Sequence, residues 1–406
     1  MSLSAGSTVF DLPPEPSPAE VAAGMDGIVR AAPRDAGRHD GYLPSPVVQN
    51  HAANLVELAN GDLGCVWFGG TMEGMGDISI YFSRLDRDRD GWMPPAKLSD
   101  DPERSEQNPV LFNAPDGRLW LLYTSQPAGN QDRAVVKRRI SEDDGRTFGP
   151  VDILWDEPGT FVRQPIVINR NGDWLLPIFR CRNQPGQLWR GDDDDSAMLV
   201  SRDAGLTWRR RDLPQSTGAV HMDILPGEGG DLVALFRSRY ADHIKLSRSH
   251  DDGASWTTPA DTVLPNNNSS IQARRLRDGR IAIAYNESSA PTSAERRASL
   301  YDEIEGADGT RAEAPSERPA IWGVPRAPLV VAISGDDGAT FPWRRAVQAG
   351  SGYCLSNNSR DGLNREYSYP SILEAADGAL HLAFTAYRRA IKYVRVTPDW
   401  VRGAPA

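Results

Sequence analysis

Apolar residues along this chain recur with a period of two rather than 3.6, in short stretches that end in polar turns. HAANLVEL from His51, PVLF from Pro109, HMDIL from His221 and YPSIL from Tyr369 are examples, each followed by a turn and another apolar stretch. The turns carry Asn-Gly, Asp-Gly or Gly-Gly, the dipeptides that supply the positive φ of a tight hairpin. Their glycines are Gly61, Gly117, Gly172, Gly230, Gly279 and Gly378, spaced by 56, 55, 58, 49 and 99 residues. The last interval is long because a charged insert occupies roughly residues 288–325.

An eight-residue pattern runs out of phase with these hairpins: SEDDGRTF at 141, SRDAGLTW at 201, SHDDGASW at 249 and SGDDGATF at 334, with a degenerate copy LDRDRDGW at 85. All four good copies read S-x-D-x-G-x-[ST]-[WF]. The pattern predicts a turn in which Asp bonds nearby backbone N–H groups, Gly takes φ > 0, and an aromatic residue re-enters the core. Six hairpins, most followed by such a turn and another strand, predict an all-β chain of six four-stranded antiparallel blades in a β-propeller. The propeller is expected over 41–400, after an N-terminal arm of residues 1–40 in which a short strand could close the last blade. SAERRASLYDEIEG, 293–306, has the capping and spacing of a short helix inside the insert.

The eight-residue pattern is that of the Asp-box, or BNR repeat, and residues 45–397 resemble the six-bladed sialidase-like propellers. Asp-boxes are turn devices, so they speak for architecture and not for activity. Chemistry has to be sought where the first strands of the blades converge on the central axis. Counting back nine or ten positions from each hairpin glycine reaches His51, Gln107, Arg163, His221, Ser270 and Tyr369. All six are polar, which burial alone would not select, and they predict a convergent polar site.

The resemblance implies a Tyr nucleophile assisted by a Glu, an Asp acid/base and three arginines on a substrate carboxylate. By that resemblance Tyr369 falls at the nucleophile, Glu73 near the acid/base with Asp77 as its rival, and Arg326 at the third arginine. The chain departs from the pattern elsewhere, with His51 at the first arginine, Asn286 at the second and Ser270 at the assisting Glu. Guanidinium clamps are not replaced by His or Asn without loss of grip on a carboxylate. Arg163, Arg180, Arg182 and Arg237 are candidates to rebuild an anion site from other blades. Trp67, Trp120, Trp189 and Tyr387 are candidate stacking platforms for sugar faces.

Three readings of function follow. One is an exo-acting glycoside hydrolase on a terminal acidic sugar, with Tyr369, Glu73 or Asp77 in the chemistry and His51, Arg163, Gln107, His221, Ser270, Asn286, Arg326 and Trp67 around the substrate. The second is a His-dependent lyase or hydrolase of a uronide, because NHAANL resembles the site of propellers acting on rhamnosyl-glucuronate linkages; His51 is then the base and Tyr369 the acid. The third is a sugar-binding propeller without catalysis.

The resemblance and the polar funnel residues imply a saccharide partner, and composition excludes others. A net charge of −10, from 45 Lys and Arg against 55 Asp and Glu, has the wrong sign for a nucleic acid backbone. The longest apolar run is far short of a membrane span. Cys65, Cys181 and Cys354 lie far apart, and no HxH or HExxH spacing occurs, so neither a catalytic metal nor a cofactor is expected. Asp86, Asp88 and Asp90 precede Gly91 like a calcium loop, but Lys97 stands where the twelfth-position Glu would be. That cluster and Asp192–Asp195 are expected to be turns or solvated loops. The first residues lack a basic region and an apolar stretch, which predicts a cytoplasmic protein.

Overall fold

The computed structural model describes residues 14–129, 131–183, 189–297, 300, 303 and 318–403. Their strands form six antiparallel sheets arranged as the blades of a propeller. The first blade runs Gln49–Glu57, Leu63–Gly70, Ser79–Leu85 and Ala96–Lys97 from the axis outwards. The second (Arg104 to Trp155), fourth (Ala219 to Pro265) and fifth (Gln272 to Gln348) repeat that order. In the third blade the inner strand is split into Thr160–Val162 and Val167–Ile168, both paired with Trp174–Arg180.

The sixth blade takes strands from both ends of the chain. Tyr367–Glu374, Leu380–Ala386 and Ala390–Val396 come from the C-terminal part, and His39–Tyr42 adds to the last of them before pairing with Arg30–Ala31. The described part of the N-terminal arm, residues 14–40, is thus packed rather than loose. Its helix Pro18–Ala23 is capped by Ser17 and inserts fully buried Val21 into a core cluster. Arg38 is buried as well, donating to Asp40 and to the Val347 carbonyl of the fifth blade.

One apolar cluster fills each gap between neighbouring blades, which is why strands such as LGCVWFGG are buried on both faces. The outer turns are held by the four Asp-boxes. In the first, Ser141 Oγ donates to Asp143 Oδ1 at 2.8 Å, while Asp143 accepts from Thr147 N at 2.8 Å and Thr147 Oγ1 at 2.6 Å. Asp203, Asp251 and Asp336 repeat these bonds. The residue before each box glycine also takes positive φ, between 54° and 56°. Only the glycine was expected there, and two successive left-handed residues make the tight turn.

The helix expected over 293–306 falls partly outside the described residues, and the part that is described, 293–297, 300 and 303, is not helical. Residue Arg297 instead bridges to Trp322. Leu300 and Trp322 pack with Trp189 at the axial end of the ring.

Candidate functional site

A repeated irregularity aims the axial side chains. In four inner strands the ladder slips by one residue, after His51, Gln107, Val220 and Ser368. At each slip a non-glycine residue takes positive φ: Ala52 at 60°, Asn108 at 49°, His221 at 56° and Tyr369 at 51°. Such bulges re-aim a side chain out of the pleat. For bulky Tyr369 and His221 this backbone costs on the order of 1–3 kcal/mol each, strain of the kind that collects at functional sites. All four residues stand nine positions before their hairpin glycine. The equivalent positions in the first two blades are therefore Ala52 and Asn108, each one residue beyond the expected His51 and Gln107.

Tyr369 is at the centre. Its hydroxyl accepts a hydrogen bond from Arg237 Nη1 at 2.5 Å, and Arg237 Nε donates to Asn268 Oδ1 at 2.7 Å. The guanidinium carbons of Arg163, Arg237 and Arg326 lie 5.3, 5.6 and 5.7 Å from the centre of its ring. His51 packs against the same ring at 4.3 Å between centroids and His221 at 5.8 Å. Burial, reinforced by the surrounding arginines, holds both histidines well below the ordinary imidazole range, so both are neutral.

A small axial cavity of about 10 Å³, room for about one water molecule, is lined by Tyr369, His221, Arg237, Arg239 and Glu73, with Trp189 and Leu300 above. Gln107, whose amide donates to Ser105 Oγ, also reaches it. Glu73 pairs with Arg388 Nη1 at 2.5 Å, Arg388 Nε bonds Glu366, and Glu366 accepts from Arg326 Nη1 at 2.7 Å. Burial pushes the Glu366 carboxyl up, but Arg388 and Arg326 outweigh it and hold the group below the usual carboxylate range. Arg239 pairs with fully buried Asp194 at 2.6 Å, and Trp189 Nε1 donates to the same carboxylate at 2.9 Å.

Four guanidiniums, those of Arg237, Arg239, Arg326 and Arg388, thus face three carboxylates, Glu73, Glu366 and Asp194, while buried Asp223 is among the charges acting on Arg163. Among the described residues Arg163 and Arg237 have no carboxylate partner, and burial pulls them down to about 10 and about 9. Excess buried positive charge is suited to an anionic ligand.

Several expected site residues have other positions. Arg163 spends its guanidinium on the carbonyls of Ala52, Ala53, Tyr369 and Pro370 and on Ser270 Oγ, all at 3.1–3.4 Å. It ties the third blade to the first and sixth rather than facing the cavity. Asn286 donates to the Tyr367 carbonyl at 2.7 Å and likewise joins two blades. Asp77 is exposed and caps Thr71, so Glu73 alone of the two carboxylates reaches the cavity. Trp67 is fully buried in the core between the sixth and first blades, its Nε1 bonded to Asn50, and offers no face to a sugar. Trp120 is buried between the second and third blades, and Tyr387 bonds Tyr367 and the Pro16 carbonyl, which leaves Trp189 as the stacking candidate at the cavity. Asp194 and Asp195, expected in a solvated loop, pair with Arg239 and Arg180.

Arg388, Glu366, Arg239 and Asp194 were not among the expected site residues. Glu366 stands three residues before Tyr369, and Arg388 lies in the last hairpin, where no repeat marks it. Among the described residues no three His, Cys, Asp or Glu side chains gather as a metal would require, and no helix is long and apolar enough to cross a membrane.

Solved structures share this architecture at low identity. A Hadza microbial sialidase superposes with a TM-score of 0.65 at 13% identity, over 87% of this chain and 67% of that one. The intramolecular trans-sialidase of Ruminococcus gnavus, solved with oseltamivir carboxylate, gives 0.62 at 13% identity over 92% of this chain and 100% of that one. A protein of unknown function from Dyadobacter fermentans gives 0.63 at 15% identity, over 89% and 100%. A vacuolar protein sorting/targeting protein 10 of Chaetomium globosum is 29% identical over 173 residues, which is 39% of this chain but only 11% of that protein's length. Residues 61–382 match the BNR repeat-like domain, and with most of its length so matched the chain belongs to that family, in the sialidase-like six-bladed form.

Proposed function

We propose that this protein hydrolyses the glycosidic bond of a terminal acidic sugar, with Tyr369 as the group that meets the anomeric carbon. The observation that carries the reading is the 2.5 Å hydrogen bond from Arg237 to the Tyr369 hydroxyl. A charged donor on that oxygen stabilises negative charge as it develops there. The charge of Arg237, which has no carboxylate partner among the described residues, supports an anionic glycone, and Glu73, on the cavity wall, is the carboxyl assigned to protonate the leaving oxygen once it has left its pair with Arg388 and taken up a proton. The sialidases among the structural neighbours share the fold and agree with a saccharide substrate. A pyranose needs more room than the cavity has, so its lining side chains must shift when it enters.

One observation favours a second reading, elimination on a uronide. His51 Nε2 is buried beside the Tyr369 ring without a hydrogen-bond partner among the described residues, as an unused base would be. The two reactions differ in product. Purified protein is offered sialosides, uronides and rhamnosyl-glucuronate oligosaccharides, and reducing sugar is read together with absorbance near 235 nm. Reducing sugar without absorbance, lost in Tyr369→Phe, is the result expected. Absorbance lost in His51→Ala would establish elimination instead, and silence on every substrate would overturn both in favour of a binding module.

A further inference from the structure

Asp194 stands just before the strand Asp195–Ser201 of the third blade, fully buried, and both of its carboxylate oxygens are taken. Oδ2 accepts from Arg239 Nε at 2.9 Å and Nη2 at 2.6 Å, and Oδ1 accepts from Trp189 Nε1 at 2.9 Å and the Arg182 backbone N–H at 3.1 Å. Trp189 and Arg239 both line the axial cavity, whereas Asp194 does not reach it. We propose that Asp194 is a positioning residue for the site: it holds the Trp189 ring and the Arg239 guanidinium side by side on the cavity wall, where the ring packs on the face of a sugar and the guanidinium takes an oxygen at its edge. The proposal rests on the saccharide reading above and adds to it the group that shapes the binding wall.

The contacts fix both partners. The guanidinium carbon of Arg239 lies 5.5 Å from the centre of the Trp189 ring, 5.1 Å from that of Trp322 and 5.7 Å from that of Phe179, so aromatic rings enclose the fork. Asp194 occupies Nε and Nη2, and among the described residues Nη1 has no acceptor. A donor anchored through its other nitrogens loses little freedom when a ligand accepts from it. The indole has a single polar atom, and its bond to a fixed oxygen sets where the flat apolar face lies. Asp194 already balances the charge of Arg239, so the wall orients the ligand while Arg237, two residues earlier, supplies the excess positive charge.

Only a carboxylate satisfies this set. Arginine, indole and backbone N–H groups all donate and none accepts. An amide of the same shape has one oxygen and turns an NH2 group on the remaining donors. In Asp194→Asn the oxygen stays with the charged donor, Arg239, and the NH2 faces Trp189, which loses its anchor. The Tyr369 hydroxyl is bonded by Arg237 and by neither partner of Asp194, so the loss falls on binding rather than on the chemical step.

The anchor is read without substrate from the indole N–H signals of protein labelled with 15N-tryptophan. The chain has eleven tryptophans, and Trp189→Phe identifies the signal of interest. Its exchange with water is expected to be slow in the wild type and about 10-fold faster or more in Asp194→Asn. Equal exchange in the two would overturn the positioning role. With 4-methylumbelliferyl glycosides of N-acetylneuraminic and glucuronic acids as probes, Asp194→Asn is expected to raise KM by about 3–10-fold at unchanged kcat, and to add nothing in a Trp189→Phe background. An unchanged KM, or full additivity in the double variant, would overturn the proposal. Trp189→Phe leaves the Asp194–Arg239 pair intact, so should Asp194→Asn fail to fold, an unchanged KM in Trp189→Phe overturns it as well, and a raised KM together with a slowly exchanging wild-type indole supports it. A wild type that neither cleaves nor binds either probe would overturn the saccharide reading itself, an outcome distinct from an indole or a KM that ignores Asp194.

Discussion

The hydroxyl of Tyr369 rests on the guanidinium of Arg237, 2.5 Å from Nη1, although the two residues belong to the sixth and fourth blades. Arg237 is itself held by Asn268 Oδ1, so the donor is oriented before any ligand arrives. Arg237→Lys keeps a charge but loses the fork that reaches Tyr369, Asn268 and His221 together. On the hydrolytic reading kcat should fall by about 10²–10³-fold, as for loss of one preorganised donor. Steady-state kinetics on whichever acidic glycoside is turned over, with near-ultraviolet circular dichroism to verify folding, tests this; an unchanged kcat would detach Arg237 from the chemistry.

Arg163 invites the opposite expectation. Its guanidinium is fully enclosed and donates to four backbone carbonyls in the first and sixth blades, so removing it leaves buried acceptors without donors. Arg163→Met should destabilise the fold by on the order of 3–5 kcal/mol. Urea unfolding measures this. A variant of native stability that had lost only substrate affinity would return Arg163 to the ligand site.

The contrast between these two arginines shows how far the sequence could be read. Repeats made the architecture legible, because hairpin glycines and Asp-boxes are local chemistry that a single chain writes down. The same spacing brought Tyr369 and His221 to the axis, since nine residues before a hairpin glycine is the bulge that turns a side chain inwards. It could not tell a residue facing the cavity from one tying blades together, as with Arg163 and Asn286, because both uses select buried polar side chains on the same strands. Trp67 misled for a related reason: blades are covered on both sides, so an aromatic residue in an inner hairpin is core as readily as platform. Glu366 and Arg388 went unseen because their partners come from other blades, and pairing at that distance leaves no spacing to count.

The Asp-boxes carry a pH signature. Hydrogen bonds from Thr or Ser hydroxyls and backbone N–H groups lower Asp143, Asp203 and Asp251 to about 2, and Asp336 is lowered by the same causes. A carboxylate depressed in the folded state stabilises it above the unfolded value, near 4, and that stability is lost as pH falls toward 2. Asp203→Asn should therefore lower Tm at pH 7, with the gap from wild type closing between about pH 4 and pH 2. Thermal melts across that range decide it. A gap that stays constant with pH would mean that the Asp203 charge has no part in holding the turn.

Closure of the ring makes the last prediction. His39–Tyr42 is hydrogen-bonded to Ala390–Val396, and Arg38, 2% exposed, donates to the Val347 carbonyl at 2.7 Å. Deleting residues 1–42 would expose Ala390–Val396 as an unpaired edge, strip the cover from Val21's neighbours in the core and orphan a buried carbonyl. An open propeller edge of this kind favours association over folding. The truncated chain should lose its single cooperative melting transition and elute as aggregate on size exclusion, and a separate peptide of residues 14–42 should restore part of the monomer when present during refolding. A truncated chain that stayed monomeric and melted at the wild-type temperature would show that the ring closes without its N-terminal strands, and that the C-terminal three strands of the sixth blade suffice to seal it.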